Sequence, residues 1–263
     1  MEINNKEIDG GKGFDWGRTS EDYAKYRDIY PEVFYTRLIE KGLCVKGQRV
    51  LDIGTGTGVL PRNLYKYGAE FIGVDISENQ IEQARYLSEK AGLDISYIVS
   101  AAETVDFPDN YFDTITACQC YIYFNKDTLF QKMHSILKPS GYFCILYFVY
   151  LPNESEIVFN SEKLILKYNP SWSASGATRW IYDLPEEAKG LFEVEEASLY
   201  DISVPFTRES WHGRMKTCRG IGASSLLPEE ISSWERDHIE YLESIPESFE
   251  IPHFVTMLNL RKI

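Results

Sequence analysis

The sequence predicts an α/β fold, in which a mostly parallel sheet carries helices on both faces. Between residues 49 and 150, short apolar segments alternate with amphipathic segments of helical period. This alternation is typical of parallel strands joined by crossover helices. The chain has 263 residues, of which 44% are hydrophobic and 25% charged, so it is long enough to bury the core of one large domain or two small ones.

The elements follow one another in a regular order. Helices are predicted at 20–28, where Ser20 suits an N-cap, and at 31–42, between Pro31 and Gly42. Five buried strands then follow: RVLDIG, EFIGVDIS, ISYIVSA, FDTITACQCYIYF and YFCILYFVY. They are interleaved with the helical segments VLPRNLYKYG, ENQIEQARYLSEKAG and TLFQKMHSILKPSG.

The alternation stops after Pro152. Residues 153–168, 207–219 and 228–244 are predicted as helices, and 169–185 as an irregular segment. Two long strands, LFEVEEASLYDISVPF and FEIPHFVTMLNLRKI, complete the pattern. We therefore expect a seven-stranded mixed sheet whose last strand is antiparallel, with a helical cap.

The composition of the chain indicates which kinds of binding partner are not expected. The chain has 40 acidic residues against 27 Lys plus Arg, a net charge of −13, which argues against a wide surface for nucleic acid or anionic membrane. The N-terminus contains no apolar run typical of a signal peptide, and the apolar run at 142–151 is too short to span a bilayer. The five cysteines form no C-x-x-C pair, so we expect reduced thiols, no metal site and a cytoplasmic location.

The stretch VLDIGTGTG, residues 50–58, follows a predicted strand and opens a predicted helix. Its glycines allow a sharp turn and the close approach of a nucleotide. Asp75 ends the next strand, where a carboxylate can accept both ribose hydroxyls of an adenosine. The dinucleotide pattern G-x-G-x-x-G fails here, because Val59 stands at its third glycine position.

The glycine stretch together with Asp75 resembles motif I and the ribose acid of class I S-adenosylmethionine-dependent methyltransferases. Residues 101–108, 112–120 and 137–141 are similar to the family's next segments in the same order, with Ser140 replacing one glycine. The closest resemblance is to small-molecule members such as those of ubiquinone and menaquinone biosynthesis, and it covers about residues 14–150. It implies one Rossmann-like domain over 1–263, with a cofactor-binding core at 14–150 and cap segments at 151–183 and 207–247.

The resemblance also implies which residues bind S-adenosylmethionine and its product, S-adenosylhomocysteine. In the core they are Asp52, Gly54, Thr55, Gly56, Gly58, Asp75, Ile76, Gln80, Ala102, Glu103 and Gln119. Asp52 would attract the methionine amino group, and Ile76 would pack on the adenine or belong to the core. An aromatic N-terminal helix would add Tyr23, Tyr26 and Arg27, although core packing or surface salt bridging explains these three equally well.

Residues 207–225, TRESWHGRMKTCRGIGASS, concentrate positive charge in an acidic chain. On a helical wheel, Trp211, Met215 and Cys218 form an apolar stripe, flanked by cationic side chains. We predict that Tyr121, Trp211, Arg214 and Arg219 bind the substrate and that His212 is the candidate general base. The alternative is a helix whose cations pair with the excess carboxylates.

Taken together, these features predict methyl transfer to a small anionic or polar-aromatic acceptor by in-line displacement. The fourth strand is not followed by the Asn/Asp-Pro-Pro-aromatic loop of base methylases, so no nucleic-acid substrate is expected, and no membrane partner. A monomer or a homodimer is expected. Two alternatives stay open: another chemistry of the same cofactor, or a module that senses it.

Overall fold

The computed structural model describes residue 3 and residues 5–263. Its α-helices, in chain order, are α1 Ser20–Tyr26, α2 Glu32–Glu40, α3 Val59–Leu64, α4 Glu78–Lys90, α5 Lys126–Ile136, α6 Glu156–Tyr168, α7 Arg208–Lys216 and α8 Pro228–Glu243. Its strands are β1 Arg49–Ile53, β2 Glu70–Asp75, β3 Ser96–Val99, β4 Phe112–Cys118, β5 Leu137–Tyr150, β6 Phe192–Thr207 and β7 Ser248–Lys262.

The seven strands form one sheet in the order β3-β2-β1-β4-β5-β7-β6. The pairs β1–β2, β1–β4, β2–β3 and β4–β5 are parallel, and the last strand is antiparallel. The predicted mixed sheet is therefore confirmed. Because β1, β2 and β4 are neighbours and parallel, the loops that follow them leave from the same edge of the sheet, where ligands bind in open α/β folds.

The chain divides into two compact units. The first comprises Met1–Ile29, Val149–Arg179 and Asp201–Phe254, and the second comprises Tyr30–Phe148, Trp180–Tyr200 and Val255–Ile263. The predicted core segment 14–150 thus falls mostly in the second unit, and the predicted cap segments 151–183 and 207–247 mostly in the first. The single domain over 1–263 stays a prediction.

The core of the second unit is built from the strands that the apolar segments predicted. Val50, Leu51 and Ile53 of β1 are fully buried, as are Ile115 and Ala117 of β4. Both strands are buried on both faces, which explains their continuous apolar character. Their packing holds the ends of β1 and β4 in a fixed relation.

The turn before β5 differs from the prediction. The helix predicted to leave through Pro139, Ser140 and Gly141 ends at Ile136, and those three residues belong to β5, which begins at Leu137. The pairing with β4 shifts register between Phe112 and Thr114, and Ser140 takes a φ of 58°. Ser140, which stands where the family has glycine, therefore adopts the left-handed conformation that glycine favours.

In the first unit, α7 contacts α1 and α8, and α6 contacts α8. The helix predicted over 207–219 is shorter, because Thr207 caps its N-terminus by accepting from Ser210 and the helix ends at Lys216. Trp211, Met215 and Cys218 are buried, so the predicted apolar stripe is confirmed, although Cys218 lies beyond the helix. Residues 169–185 contain no helix or strand, as predicted.

Within residues 3 and 5–263, every helix is too short or too polar to cross a membrane. The same residues contain no group of three or more His, Cys, Asp or Glu side chains arranged to hold a metal ion.

Candidate functional site

The end of β1 is held by a buried carboxylate. Asp52 is 2% exposed, and its two oxygens accept hydrogen bonds of 2.6 Å from the hydroxyls of Thr55 and Thr116. Thr55 belongs to the glycine loop, and Thr116 lies beside Asp52 in the register of β1 and β4. Asp52 therefore fixes the start of the loop. Its predicted attraction for a methionine amino group stays a prediction.

The glycine loop is fastened to the end of β2. The Gly56 N–H donates to Asp75 Oδ2 over 2.9 Å, and the Ser77 N–H donates to Oδ1 over 2.9 Å. A carboxylate has about four acceptor positions, so Asp75 retains acceptor capacity for a ligand. The loop and the β2 end are thus built as one rigid element.

Gly54 shows why the loop needs glycine. Its φ is 61°, and a Cβ there would lie 2.7 Å from the Cβ of Cys120. Gly56 and Gly58 also have positive φ angles, of 54° and 73°, and a Cβ on Gly58 would overlap the Tyr97 hydroxyl. The loop therefore packs tightly against Cys120 and Tyr97. The sequence pattern did not identify these two residues as part of the site.

Burial changes the acidity of both aspartates. It raises the pKa of Asp52 to about 6, while hydrogen bonds from Thr116 and Thr55 act in the opposite direction. Burial also raises the pKa of Asp75, opposed by the backbone donors of Ser77 and Gly56. The hydrogen bonds are what keep these carboxylates ionised in a poorly solvated place.

The other predicted cofactor residues of the second unit surround the same edge of the sheet. Ile76 is half-buried, and Gln80 and Ala102 are 2% exposed. Glu103 accepts from the Asn125 N–H over 2.9 Å, at the start of α5. Gln119, directly after β4, has a φ of 66° and donates from Nε2 to the Phe148 carbonyl. Such a conformation costs free energy in a non-glycine residue and is concentrated at functional sites.

Tyr121 belongs to an aromatic cluster that the sequence did not predict. It contacts Tyr182 with ring centroids 5.9 Å apart, and Tyr147 contacts Trp180 at 5.7 Å and Tyr182 at 5.8 Å. Burial raises the pKa of Tyr121. Its buried hydroxyl has no hydrogen-bond partner among the described residues. Tyr121, Tyr147, Trp180 and Tyr182 are hereafter the aromatic cluster. Tyr121 follows the end of β4 closely, and the four rings can line a site for an apolar ligand.

Tyr23, Tyr26 and Arg27 lie in the first unit and contact residues near α7. Arg27 donates from Nε to Thr217 Oγ1 over 2.8 Å and lies 4.9 Å from the Tyr23 ring centroid. The Tyr26 ring lies so close to α7 that a Cβ on Gly213 would overlap it. Gly213 therefore allows the Tyr26 side chain of α1 to pack directly on the backbone of α7. The predicted cofactor role of the three residues stays a prediction.

His212 lies in a hydrogen-bonded network. Its Nδ1 is 3.0 Å from His238 Nδ1, and His238 Nε2 is 3.0 Å from Ser161 Oγ. Ser161 donates to the Ile157 carbonyl and accepts from Trp211. His238 therefore donates from Nε2 and accepts at Nδ1, so His212 donates from Nδ1.

The basic nitrogen of His212 is thus Nε2, 3.9 Å from Glu235. Burial lowers the pKa of His212, and that of His238 to about 3. His238 is fully buried and stacks on Trp234 with ring centroids 4.7 Å apart. The predicted role of His212 as a base stays a prediction.

Most cations of segment 207–225 are paired, as the alternative predicted. Arg219 forms a buried ion pair with Asp9 at 2.5 Å, and Lys216 pairs with Glu235 at 2.9 Å. Arg208 is 3.6 Å from Glu247. The contacts of Arg219 thus give it a structural role and no support for its predicted role toward a substrate.

Arg214 differs from its neighbours. It is 7% exposed, and no carboxylate among the described residues lies within ion-pair distance of it. Its guanidinium lies 5.3 Å from the Tyr150 ring centroid, and Nε is buried without a hydrogen-bond partner in the described part of the chain. Of the four residues predicted to bind a substrate, Arg214 is the one whose surroundings indicate an anionic ligand.

The residues of the second unit fit an adenosyl ligand. Asp75 offers remaining lone pairs to hydroxyl groups, and Gly54, Gly56 and Gly58 add no side chains to the loop of residues 54–58. The donor set contains no thiolate or imidazole cluster and no pair of phosphate-binding lysines, which favours a sugar and a base over a metal ion or a polyphosphate.

Comparison with known proteins agrees with this geometry. Residues 50–141 match the family described as a methyltransferase domain. The ubiquinone biosynthesis O-methyltransferase of Bradyrhizobium diazoefficiens is 37% identical over 99 residues, which cover 37% of this chain and 39% of that protein. The sterol 24-C-methyltransferase of Yarrowia lipolytica is 27% identical over 210 residues, 67% of this chain and 54% of that protein.

A solved structure shows the same fold. The YcgJ protein of Bacillus subtilis superposes with a TM-score of 0.55 at 20% identity, covering 88% of this chain and 99% of that one. The matches to the two curated relatives span about half of their length or less. What the matching segment contains is the glycine loop, Asp75 and β4, which are the parts that build the site. Residues 50–141 of the chain therefore form a domain of the methyltransferase family that they match.

Proposed function

We propose that this protein transfers the methyl group of S-adenosylmethionine to a small acceptor that carries a negative charge. The observation that supports this most directly is the joined loop and carboxylate at the ends of β1 and β2, where Gly56 donates to Asp75. This arrangement holds an acid in place for a ribose, beside a loop whose glycines add no side chains.

The residues of the chain do the binding and the positioning. S-adenosylmethionine, when bound, supplies a methyl group already activated by its positive sulfur. Asp75 would accept hydrogen bonds from the ribose, and the loop of residues 54–58 would hold the ligand at the sheet edge. Fixing two reactants in line for displacement supplies several kcal/mol of the barrier reduction, about 7–11 at most.

Two features support an acceptor that is anionic or aromatic. Arg214 is a buried cation without a carboxylate partner among the described residues, and the aromatic cluster provides stacking surfaces. The relatives carry names that specify methylation of oxygen in one case and of carbon in the other, so the family leaves the acceptor atom open. A small-molecule acceptor, a monomer or homodimer and a cytoplasmic location complete the proposal.

The cofactor half of the proposal is tested by calorimetric titration with S-adenosylmethionine and S-adenosylhomocysteine. Asp75→Asn removes the charge and half of the acceptor capacity, so binding should weaken by about tenfold or more. Glu78→Gln is the matched control, because Glu78 is exposed in the next turn and its loss should leave affinity unchanged. Equal affinity of the wild type and Asp75→Asn would refute the role of Asp75.

The reaction half is tested by product analysis with a panel of small carboxylates and phenols. Formation of S-adenosylhomocysteine together with a methylated acceptor supports methyl transfer. Turnover of the cofactor without S-adenosylhomocysteine would identify another chemistry. Tight binding without turnover of any acceptor would favour a module that senses the cofactor.

A further inference from the structure

Arg214 is a cation in a place that disfavours cations. Burial lowers its pKa to about 10, and the nearby charge of Arg27 acts in the same direction. A buried guanidinium without a carboxylate partner destabilises a folded protein unless a ligand neutralises it. The guanidinium is a planar fork that matches the two oxygens of a carboxylate.

A second unusual group lies beside the same tyrosine. Glu162 of α6 is 4% exposed. Its Oε2 accepts from the Gly176 N–H over 2.9 Å, whereas Oε1 is buried and receives no hydrogen bond from a described residue. Burial raises the pKa of Glu162 to about 7, opposed first by the Gly176 N–H and then by the Tyr150 hydroxyl.

Tyr150 connects the two groups. It ends β5, with its ring under the Arg214 guanidinium and its hydroxyl near Glu162. The other titratable or charged side chains that influence this trio from the elements packed around it are Tyr23, Arg27, Cys218 and His253. All of these residues belong to the first unit.

We infer that Arg214, Tyr150 and Glu162 form a site for the carboxylate of a small organic anion, and that binding of the anion takes up a proton at Glu162. The inference specifies the charged group of the methyl acceptor as a carboxylate, and in that respect it rests on the proposed function. Binding at this site is nevertheless measurable without any methyl donor.

Burial favours a carboxylate over a phosphate dianion, because bringing two negative charges into a poorly solvated place costs more free energy than bringing one. With Glu162 ionised, the guanidiniums of Arg27 and Arg214 exceed its carboxylate by one positive charge, which favours binding of an anion. A negative ligand beside Glu162 makes the ionisation of Glu162 less favourable, so the glutamate binds a proton.

The inference is tested by calorimetry on the full chain without methyl donor, with acetate and benzoate as probes and benzamide as the neutral match of benzoate. At least one carboxylate should bind, benzamide should not, and affinity should fall as the pH rises through about 7. Buffers of different ionisation enthalpy should report proton uptake. Failure of both carboxylates to bind, or tighter binding of inorganic phosphate, would overturn the assignment.

Variants separate the role of Arg214 in binding the carboxylate from the role of Glu162 in taking up the proton. Arg214→Gln should weaken carboxylate binding by about tenfold or more, and Arg208→Gln, a change on the same helix to an arginine bonded to the Ile245 carbonyl, should not. Glu162→Gln mimics the protonated glutamate, so it should still bind but without pH dependence or proton uptake. Persistence of both effects in Glu162→Gln would contradict the inference.

If Arg214→Gln does not fold, Arg214→Lys retains the charge without the fork and should bind more weakly than the wild type. Titration of S-adenosylhomocysteine distinguishes the two proposals. If the wild type binds S-adenosylhomocysteine but no carboxylate, only the inferred site is refuted. If it binds a carboxylate but not S-adenosylhomocysteine, only the proposed function is refuted.

Discussion

The hydroxyl of Thr116 donates a 2.6 Å hydrogen bond to the buried carboxylate of Asp52, and the two residues are partners in the parallel register of β4 and β1. Two strands distant in sequence thus meet at the carboxylate that supports the glycine loop. Because Asp52 is 2% exposed, water does not replace a donor that is removed. The integrity of the loop therefore depends on a side chain outside the glycine motif.

Thr116→Val should destabilise the protein by about 1–3 kcal/mol, because it leaves a buried carboxylate oxygen without a donor. Denaturant unfolding measures this change. Thr114→Val is the matched control on the same strand, since the Thr114 hydroxyl makes a 3.4 Å contact with Gln48 and should contribute less. Equal losses in the two variants would show that the bond to Asp52 has no special importance.

Glu162→Gln should alter how stability depends on pH. The pKa of Glu162 is raised from 4.5 to about 7 in the folded protein, so between these values the native state binds more protons than the unfolded chain. The contribution of Glu162 to stability is complete below about pH 4.5 and is lost as the pH rises through 7. In the wild type this loss is about 1–3 kcal/mol, and in Glu162→Gln it should be absent.

Thermal unfolding at several pH values tests this expectation. Glu235→Gln serves as the control, because Glu235 pairs with Lys216 and lies outside the trio. An identical pH profile for the wild type and Glu162→Gln would contradict the raised pKa.

Arg214→Met should raise the free energy of unfolding by about 1–4 kcal/mol, because an apolar side chain of similar length replaces a buried cation that has no carboxylate partner among residues 3 and 5–263. Lys216→Met should not have this effect, since Lys216 is paired with Glu235 and Asp22. Denaturant unfolding of the ligand-free protein measures both variants. A marked loss of stability in Arg214→Met would indicate that the guanidinium is a structural residue.

Gly213→Ala should destabilise the protein, although alanine is the better helix former by about 1 kcal/mol. The added Cβ would overlap the Tyr26 ring, and overpacking costs about 1–3 kcal/mol. The double variant with Tyr26→Ala relieves the overlap, so the effects of the two changes should not add. Additive effects measured by unfolding would show that the overlap is absent.

The sequence predicted correctly those features whose residues lie in one short stretch of the chain. Alternating apolar segments predicted the strands of the second unit, and the spacing of glycines and Asp75 predicted the loop at the ends of β1 and β2. The sequence shows these features because each lies within a single strand or within one strand–helix–strand unit. The end of α7 was predicted too late, since a helical wheel does not show that the last turn stops at Lys216.

The sequence by itself determined the mixed sheet, the methyltransferase family and the carboxylate expected to hold a ribose. Only the tertiary structure decided which cations of 207–225 are neutralised, because their partners lie on other elements, and Asp9, the partner of Arg219, is 210 residues away in the chain. It also decided that Glu162 stands near Tyr150 under Arg214. Whether a charge is paired depends on all the side chains that surround it in the fold, and the sequence alone does not show which side chains these are.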